Sequence, residues 1–379
     1  MIKRLQFELL EKLIFKDKVV LVCGARQVGK TSLCKKILDK YSQKGLKTKY
    51  FNAEISETQE ILNTTSQAKL KALIGIYDLV VIDEAQKIPE IGQILKILVD
   101  TFPKTQIITT GSSSFELANI AGEPLVGRSR KILMYPVACA ELANWQDINF
   151  VRENIYEFIQ YGLLPKVLSY SETKDKLEEL GQITESYLYK DILKFEAVRK
   201  PVLLEKLVKL LAHQVGSEVS HNSLANTLGI SSLTVEKYLD ILQKSFIIYK
   251  LPPFTKSLKS EIKNKPKYYF YDTGVLNTLL DNYDLQRSDK YLGGVWENFV
   301  IIEKIKQDNL MQTKSKFFYW RNKGGAEIDL VVKNGDDLNC FEIKFNPKKD
   351  PKIPESFKQS YSPKSYKIIS PASFWEELI

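Results

Sequence analysis

Gly24-Ala25-Arg26-Gln27-Val28-Gly29-Lys30-Thr31 spells the pattern G-x-x-x-x-G-K-[ST]. The residues around it decide how it is read. Before it, Lys18-Val19-Val20-Leu21-Val22-Cys23 is a short, β-branched, apolar run of the kind that forms a buried parallel strand. After it, Ser32-Leu33-Cys34-Lys35-Lys36-Ile37-Leu38 has helical spacing. Strand, glycine loop and helix together give the pattern a mechanism. Backbone N–H groups from Gly24 to Ser32, with the positive end of the following helix, are set to wrap the phosphates of ATP. Lys30 reaches the β- and γ-phosphates, and the Thr31 hydroxyl is a ligand for Mg²⁺.

A second stretch supplies the other half of such a site. In Tyr77-Asp78-Leu79-Val80-Val81-Ile82-Asp83-Glu84, four apolar residues form a core strand that ends in two carboxylates. Asp83 is assigned to metal support, and Glu84 to the general base that orients the attacking water. Further strands are expected over residues 47–52, 105–110 and 130–135, with helical material over 58–74 and 91–102. This alternation predicts an α/β fold with a parallel sheet over residues 1–145. Gly24 and Asp83 then fall at the carboxyl ends of their strands, where such sheets bind ligands. The strand at 105–110 runs into Gly111-Ser112-Ser113-Ser114. Ser112 or Ser113 is a candidate sensor of the γ-phosphate, and the alternative is a plain turn. Arg128, in the loop before the last strand, is the candidate cation for transition-state charge, in cis or from a neighbouring subunit. An ordinary surface arginine is the competing reading.

At 379 residues the chain is too long for one ordinary domain. Its 44% hydrophobic and 27% charged residues give enough apolar material for several cores. No apolar stretch approaches the roughly 18–20 residues of a membrane span, and the acidic, amphipathic N-terminus is unlike a secretory signal. Cys23, Cys34, Cys139 and Cys340 are scattered without a C-x-x-C pair, and His213 and His221 are the only histidines. Disulfides, zinc centres and histidine-rich metal sites are therefore not expected, and the expected compartment is the cytoplasm. A net charge of +9 suits nucleic-acid contact without demanding it, because lysine-rich surfaces also serve solvation.

Residues 146–212 are helical by period and carry no obvious chemistry, which makes them a connector. In residues 213–280, a short capped helix ending at Gly229 and a second helix from Ser231 form a helix-turn-helix. Phe246-Ile247-Ile248-Tyr249-Lys250 and Lys267-Tyr268-Tyr269-Phe270-Tyr271 flank a lysine-rich loop, as two strands of a wing would. A winged helix of this kind engages either DNA or protein, and Glu236 and Asp240 on the second helix oppose tight DNA contact. From 281 to 379 a helix is followed by a hairpin. Glu342 and Lys344 share a strand face, Asp329 can lie opposite them, and Glu297 can join from the helix. Carboxylates and a lysine converging in this way suit metal-dependent phosphodiester hydrolysis. An Asp on one strand and Glu-x-Lys on the next resembles the PD-(D/E)xK nuclease fold, although a solvated strand face gives the same residues.

The order of parts resembles that of prokaryotic AAA-type ATPases with a C-terminal DUF4143 domain. The motifs that carry the resemblance are the Gly24–Thr31 loop, Val81-Ile82-Asp83-Glu84-Ala85-Gln86, Thr110-Gly111-Ser112-Ser113-Ser114 and Leu125-Val126-Gly127-Arg128 in the first half. In the second half they are Tyr271-Asp272-Thr273-Gly274, Trp296-Glu297-Asn298-Phe299-Val300, Tyr319-Trp320-Arg321, Glu327-Ile328-Asp329 and Glu342-Ile343-Lys344. Leu163-Leu164-Pro165 departs from the Gly-Phe-Pro-like segment usual there. The resemblance implies an ATPase core, a winged helix and a restriction-endonuclease-like α/β terminal fold. The leading expectation is a Mg²⁺-dependent, ATP-hydrolysing switch whose C-terminal half engages DNA or a protein partner, with no membrane and with a homo-oligomer open. An ATP-gated nuclease is the alternative, and a non-cleaving scaffold is the third reading.

Overall fold

The structure, a computed structural model, describes residues 2–111, 123–186, 200–255, 265–284, 289–347 and 352–379. The chain divides into two compact units, one built essentially of residues 3–135 and the other of residues 136–243 and 247–379.

The first unit is a five-stranded sheet of β1 (Val19–Gly24), β2 (Thr48–Asn52), β3 (Leu79–Asp83), β4 (Gln106–Gly111) and β5 (Ser129–Met134), in the order β2-β3-β4-β1-β5. Every pairing is parallel. β1, β3 and β4 are buried along their whole length, which explains the apolar runs of β1 and β3 in place of alternation. β4 lies between β1 and β3, so a strand separates the glycine loop from the Asp83-Glu84 pair. The helical material expected over 58–74 is two helices, Ser56–Leu62 and Gln67–Ile74. The break falls at Asn63-Thr64-Thr65, where the Thr64 hydroxyl accepts from the Ser66 N–H at 3.2 Å and offers the backbone an alternative to the helix.

The second unit begins with helices, among them Ile155–Tyr161, Thr173–Glu185 and Pro201–His213, the last opening on its proline. His221–Leu228 ends at Gly229, whose φ of 65° suits glycine, and Ser232–Lys244 follows. β6 (Ile248–Leu251) then pairs antiparallel with β7 (Lys267–Phe270). After helix Asp289–Met311 comes a four-stranded sheet of β8 (Lys316–Arg321), β9 (Glu327–Asn334), β10 (Asp337–Ile343) and β11 (Ser365–Ile369), in the order β11-β10-β9-β8. β8, β9 and β10 run antiparallel, and β11 adds parallel to β10. Trp320, Ile328, Val331, Leu338, Cys340 and Phe357 form a core on this sheet. Trp296 is fully buried, and its indole N–H donates to the Ile369 carbonyl at 3.2 Å. The chain is thus mixed α/β throughout. Among the described residues, no helix is long and apolar enough to cross a membrane.

Candidate functional site

β1 hands the chain to the loop at Gly24, where a Cβ would lie 2.0 Å from the Met134 carbonyl oxygen. Only glycine lets β1 and β5 approach this closely. Gln27 and Gly29 take positive φ angles of 57° and 94°, which curl the loop before the helix Lys30–Gln43 starts. Ala25 and Val28 are buried, Arg26 and Gly29 are half-buried, and Gln27 and Ser32 are exposed. Lys30 is 5% exposed, and its ammonium donates to the Gly24 and Ala25 carbonyls at 3.0 and 2.7 Å. Burial lowers its pKa, while Glu84 and Asp83 oppose the fall. Two loop carbonyls here hold the lysine in the way phosphate oxygens do.

Asp83 ends β3 and is 4% exposed. Its Oδ2 accepts from the Thr31 hydroxyl at 2.8 Å and from the Tyr50 hydroxyl at 2.6 Å. Its Oδ1 accepts from the Thr110 hydroxyl at 2.5 Å. Thr110 also accepts from the Glu84 N–H at 2.9 Å, and so ties the two acidic residues together. Glu84 stands in the left-handed region, with φ 51° and ψ 43°, a conformation that costs a non-glycine residue energy and concentrates at functional sites. Its carboxylate accepts from the Gln86 amide at 2.6 Å. Behind the loop, the Arg4 guanidinium donates to the Val28 carbonyl at 2.5 Å and to the Tyr135 carbonyl at 2.7 Å.

Lys30, Thr31, Asp83 and Glu84 are therefore brought together at the carboxyl edge of the sheet. Arg128 is not. Ser129 pairs with Val19 at the amino end of β1, and the Val19 N–H donates to the Arg128 carbonyl at 2.9 Å. The length of β1, about 3.3 Å per residue over its 6 residues, separates Arg128 from the glycine loop. Its Nε instead meets Asp100 at 2.7 Å on the surface. A role for Arg128 in cis is corrected accordingly. Ser112 and Ser113 lie outside the described residues. Sequence reasoning gave no role to Arg4, Tyr50, Thr110 or Gln86. Thr110 had a visible signal, being the last polar residue before the glycine that ends its strand.

In the second unit, Asp329 on β9, Glu342 on β10 and Lys344 just beyond it converge. The Lys344 ammonium lies 3.2 Å from Asp329 Oδ2 and 2.8 Å from Glu342 Oε1, and the Ile343 N–H donates to Asp329 Oδ2 at 2.8 Å. Burial raises the Glu342 pKa, Asp329 adds to the rise, and Lys344 opposes it. Glu297 makes its hydrogen bonds to other partners. It accepts from the Tyr269 hydroxyl at 2.5 Å and from Lys267 at 3.1 Å. Burial pushes its carboxyl up to about 7, with Lys267 pulling down and Asp329 pushing up. Lys267, itself buried, also pairs with half-buried Glu327 at 2.6 Å, a bridge that sequence reasoning missed. Among the described residues, no three acidic, histidine or cysteine side chains come together to hold a metal ion. Glu297 is held by Tyr269 and Lys267, with the Asp329 charge close enough to act on it.

The second helix of the helix-turn-helix exposes Glu236, Lys237 and Asp240, with Glu236 3.4 Å from the His221 ring. Most of the lysine-rich segment between β6 and β7, residues 256–264, lies outside the described residues.

Comparison with known proteins divides the chain in three. Residues 16–143 match the AAA domain, residues 152–286 a domain of unknown function (DUF8612), and residues 292–373 a domain of unknown function (DUF4143). An uncharacterized protein of Mycobacterium tuberculosis is 28% identical over 339 residues, which covers 88% of this chain and 72% of that one. One of Haemophilus influenzae is 26% identical over 357 residues, covering 89% of this chain and 85% of its own. Among solved structures, a replication initiator DnaA bound to AMPPCP and single-stranded DNA aligns with 62% of this chain and 86% of its own, at 16% identity and a TM-score of 0.29. That likeness is too slight to carry an argument.

Proposed function

We propose that this chain, an AAA-type P-loop ATPase domain joined to a C-terminal DUF4143 domain, is an ATP-hydrolysing switch whose second half engages DNA or a protein partner. The observation that carries the reading is the set of hydroxyls from Thr31, Tyr50 and Thr110 gathered on Asp83, with Glu84 next in the chain. The donor set fits Mg²⁺, since a threonine hydroxyl and a carboxylate are hard oxygen ligands. Thr31 and Asp83 would hold that ion, which when bound neutralises charge on the β- and γ-phosphates. Thr31 keeps lone pairs for this purpose while its hydrogen stays on Asp83. Lys30 exchanges the Gly24 and Ala25 carbonyls for phosphate oxygens, and Glu84 takes a proton from the attacking water. ATP binding is expected to vanish in Lys30→Ala, and Glu84→Gln is expected to bind ATP without turnover. Equal ATPase rates in Glu84→Gln and wild type would remove the base assignment.

A second reading is a metal-dependent nuclease gated by ATP. It is favoured by the contact of Lys344 with both Asp329 and Glu342. Its test is cleavage of linear and supercoiled DNA with Mg²⁺ or Mn²⁺, with and without ATP. Cutting that disappears in Asp329→Ala assigns the site, and intact DNA in all conditions leaves the binding or scaffold role.

A further inference from the structure

The phosphate loop has a feature that its motif does not specify. Arg4 precedes the helix Gln6–Leu13, and its guanidinium reaches Val28 inside the loop and Tyr135 just after β5. A phosphate loop works by turning successive backbone N–H groups inward. The peptide joining Val28 to Gly29 is the one most free to turn over, because Gly29 has no Cβ and sits at φ 94°. The next carbonyl, that of Gly29, is already committed to the helix, where it accepts from the Leu33 N–H at 2.9 Å.

We infer that Arg4 is a positioning residue for nucleotide binding, locking the Val28–Gly29 peptide in the orientation that presents the Gly29 N–H to the phosphates of ATP. A trans peptide points its C=O and N–H in opposite directions. A guanidinium bonded to the Val28 oxygen therefore fixes the Gly29 N–H on the side away from Arg4. The second bond, to the Tyr135 carbonyl, anchors that guanidinium to the framework. Tyr135 directly follows Met134, the residue whose carbonyl makes Gly24 obligatory. The chain leaving β5 thus sets both ends of the loop, Gly24 by direct contact and the Val28–Gly29 peptide through Arg4. A planar guanidinium can serve two carbonyls at once in fixed geometry, which a lysine ammonium does less well.

The inference rests on the ATP reading, and the test separates the two. A fluorescent ATP analogue is titrated against wild type, Lys30→Ala, Arg4→Ala and Arg4→Lys in the full chain, and steady-state ATPase rates are measured on the same proteins. Arg4→Ala is expected to weaken binding by about tenfold or more, the loss of one charge-assisted hydrogen bond's worth of loop order. Its kcat at saturating ATP stays within about twofold of wild type, because Arg4 does not touch the reacting atoms. Arg4→Lys falls between, and millimolar ethylguanidine restores affinity to Arg4→Ala. Wild-type affinity in Arg4→Ala overturns the inference. So does a loss that tracks only a lower folded fraction and is not rescued by ethylguanidine. If wild type itself fails to bind, the ATP reading falls and this one with it. If Lys30→Ala loses binding and Arg4→Ala does not, only this one falls.

Discussion

Asp83 concentrates the chemistry of the first unit at one residue. Three hydroxyl hydrogens converge on it from β2, β4 and the helix after the loop. Thr110 differs from the other two donors because it also accepts from the Glu84 N–H. Thr110→Val keeps the shape and removes both bonds, so Glu84 loses its tie to the metal-supporting carboxylate. ATPase turnover is expected to fall by roughly 10- to 100-fold, as two buried hydrogen bonds of about 1 kcal/mol or more each imply. ATP affinity should change by no more than a few-fold. Tyr50→Phe removes a single donor and should cost less, about tenfold at most in turnover. Steady-state kinetics on the two variants checks the ranking, and a larger loss in Tyr50→Phe would reverse the assignment. At this scale the sequence shows the motif residues and hides their partners. Gly24, Lys30, Thr31, Asp83 and Glu84 stand in two recognisable stretches. Tyr50 and Arg4 reach the site only through sheet order and chain return, which no local spacing encodes.

Between elements, Asp272 holds the second unit's helices together. Its Oδ1 accepts from the Gly274 and Val275 N–H groups and caps the helix Thr273–Leu279, while Oδ2 accepts from the Leu163 N–H at 2.7 Å. Burial raises its pKa, and the three backbone N–H groups pull it down. Gly162, at φ 75°, passes so close that a Cβ would lie 2.0 Å from Asp272 Oδ1. Asp272→Asn is nearly isosteric, yet it can accept on one side only. Its NH₂ must face either the Leu163 N–H or the helix N-terminus. A loss of about 2–3 kcal/mol is expected, the cost of one buried unsatisfied donor, read as a lower urea midpoint with unchanged slope. A shift under about 0.5 kcal/mol would mean water satisfies the site. The Tyr271-Asp272-Thr273-Gly274 motif was visible in the sequence, but its role as a clasp was not, because Leu163 lies far away along the chain. Legibility of the strands follows the same physics. β1 and β3 are covered on both faces and read as apolar runs. β11 escaped notice because Ser365-Tyr366-Lys367-Ile368-Ile369 is an edge strand, mostly half-exposed and preceded by proline and lysine.

For the whole molecule, the position of Arg128 turns a question about one side chain into one about assembly. The residue lies at the amino end of β5, and the glycine loop lies at the carboxyl end of the neighbouring β1. An arginine there cannot reach the phosphates of its own chain, yet it stands at a surface another copy could present to them. If Arg128 acts in trans, Arg128→Ala binds ATP as wild type does but turns over slowly, and the wild-type rate per chain rises with protein concentration. Mixing then gives a sharp test. Lys30→Ala cannot bind ATP but carries Arg128, and Arg128→Ala binds ATP but lacks the cation. Each alone is expected to be nearly inactive, and together they should recover a substantial fraction of wild-type activity, because one copy supplies the nucleotide and the other the charge. Recovery requires two chains at one site, so it would establish both the role and the homo-oligomer. Arg128→Ala turning over like wild type at every concentration would leave Arg128 as a surface partner of Asp100 and remove the reason to expect an assembly.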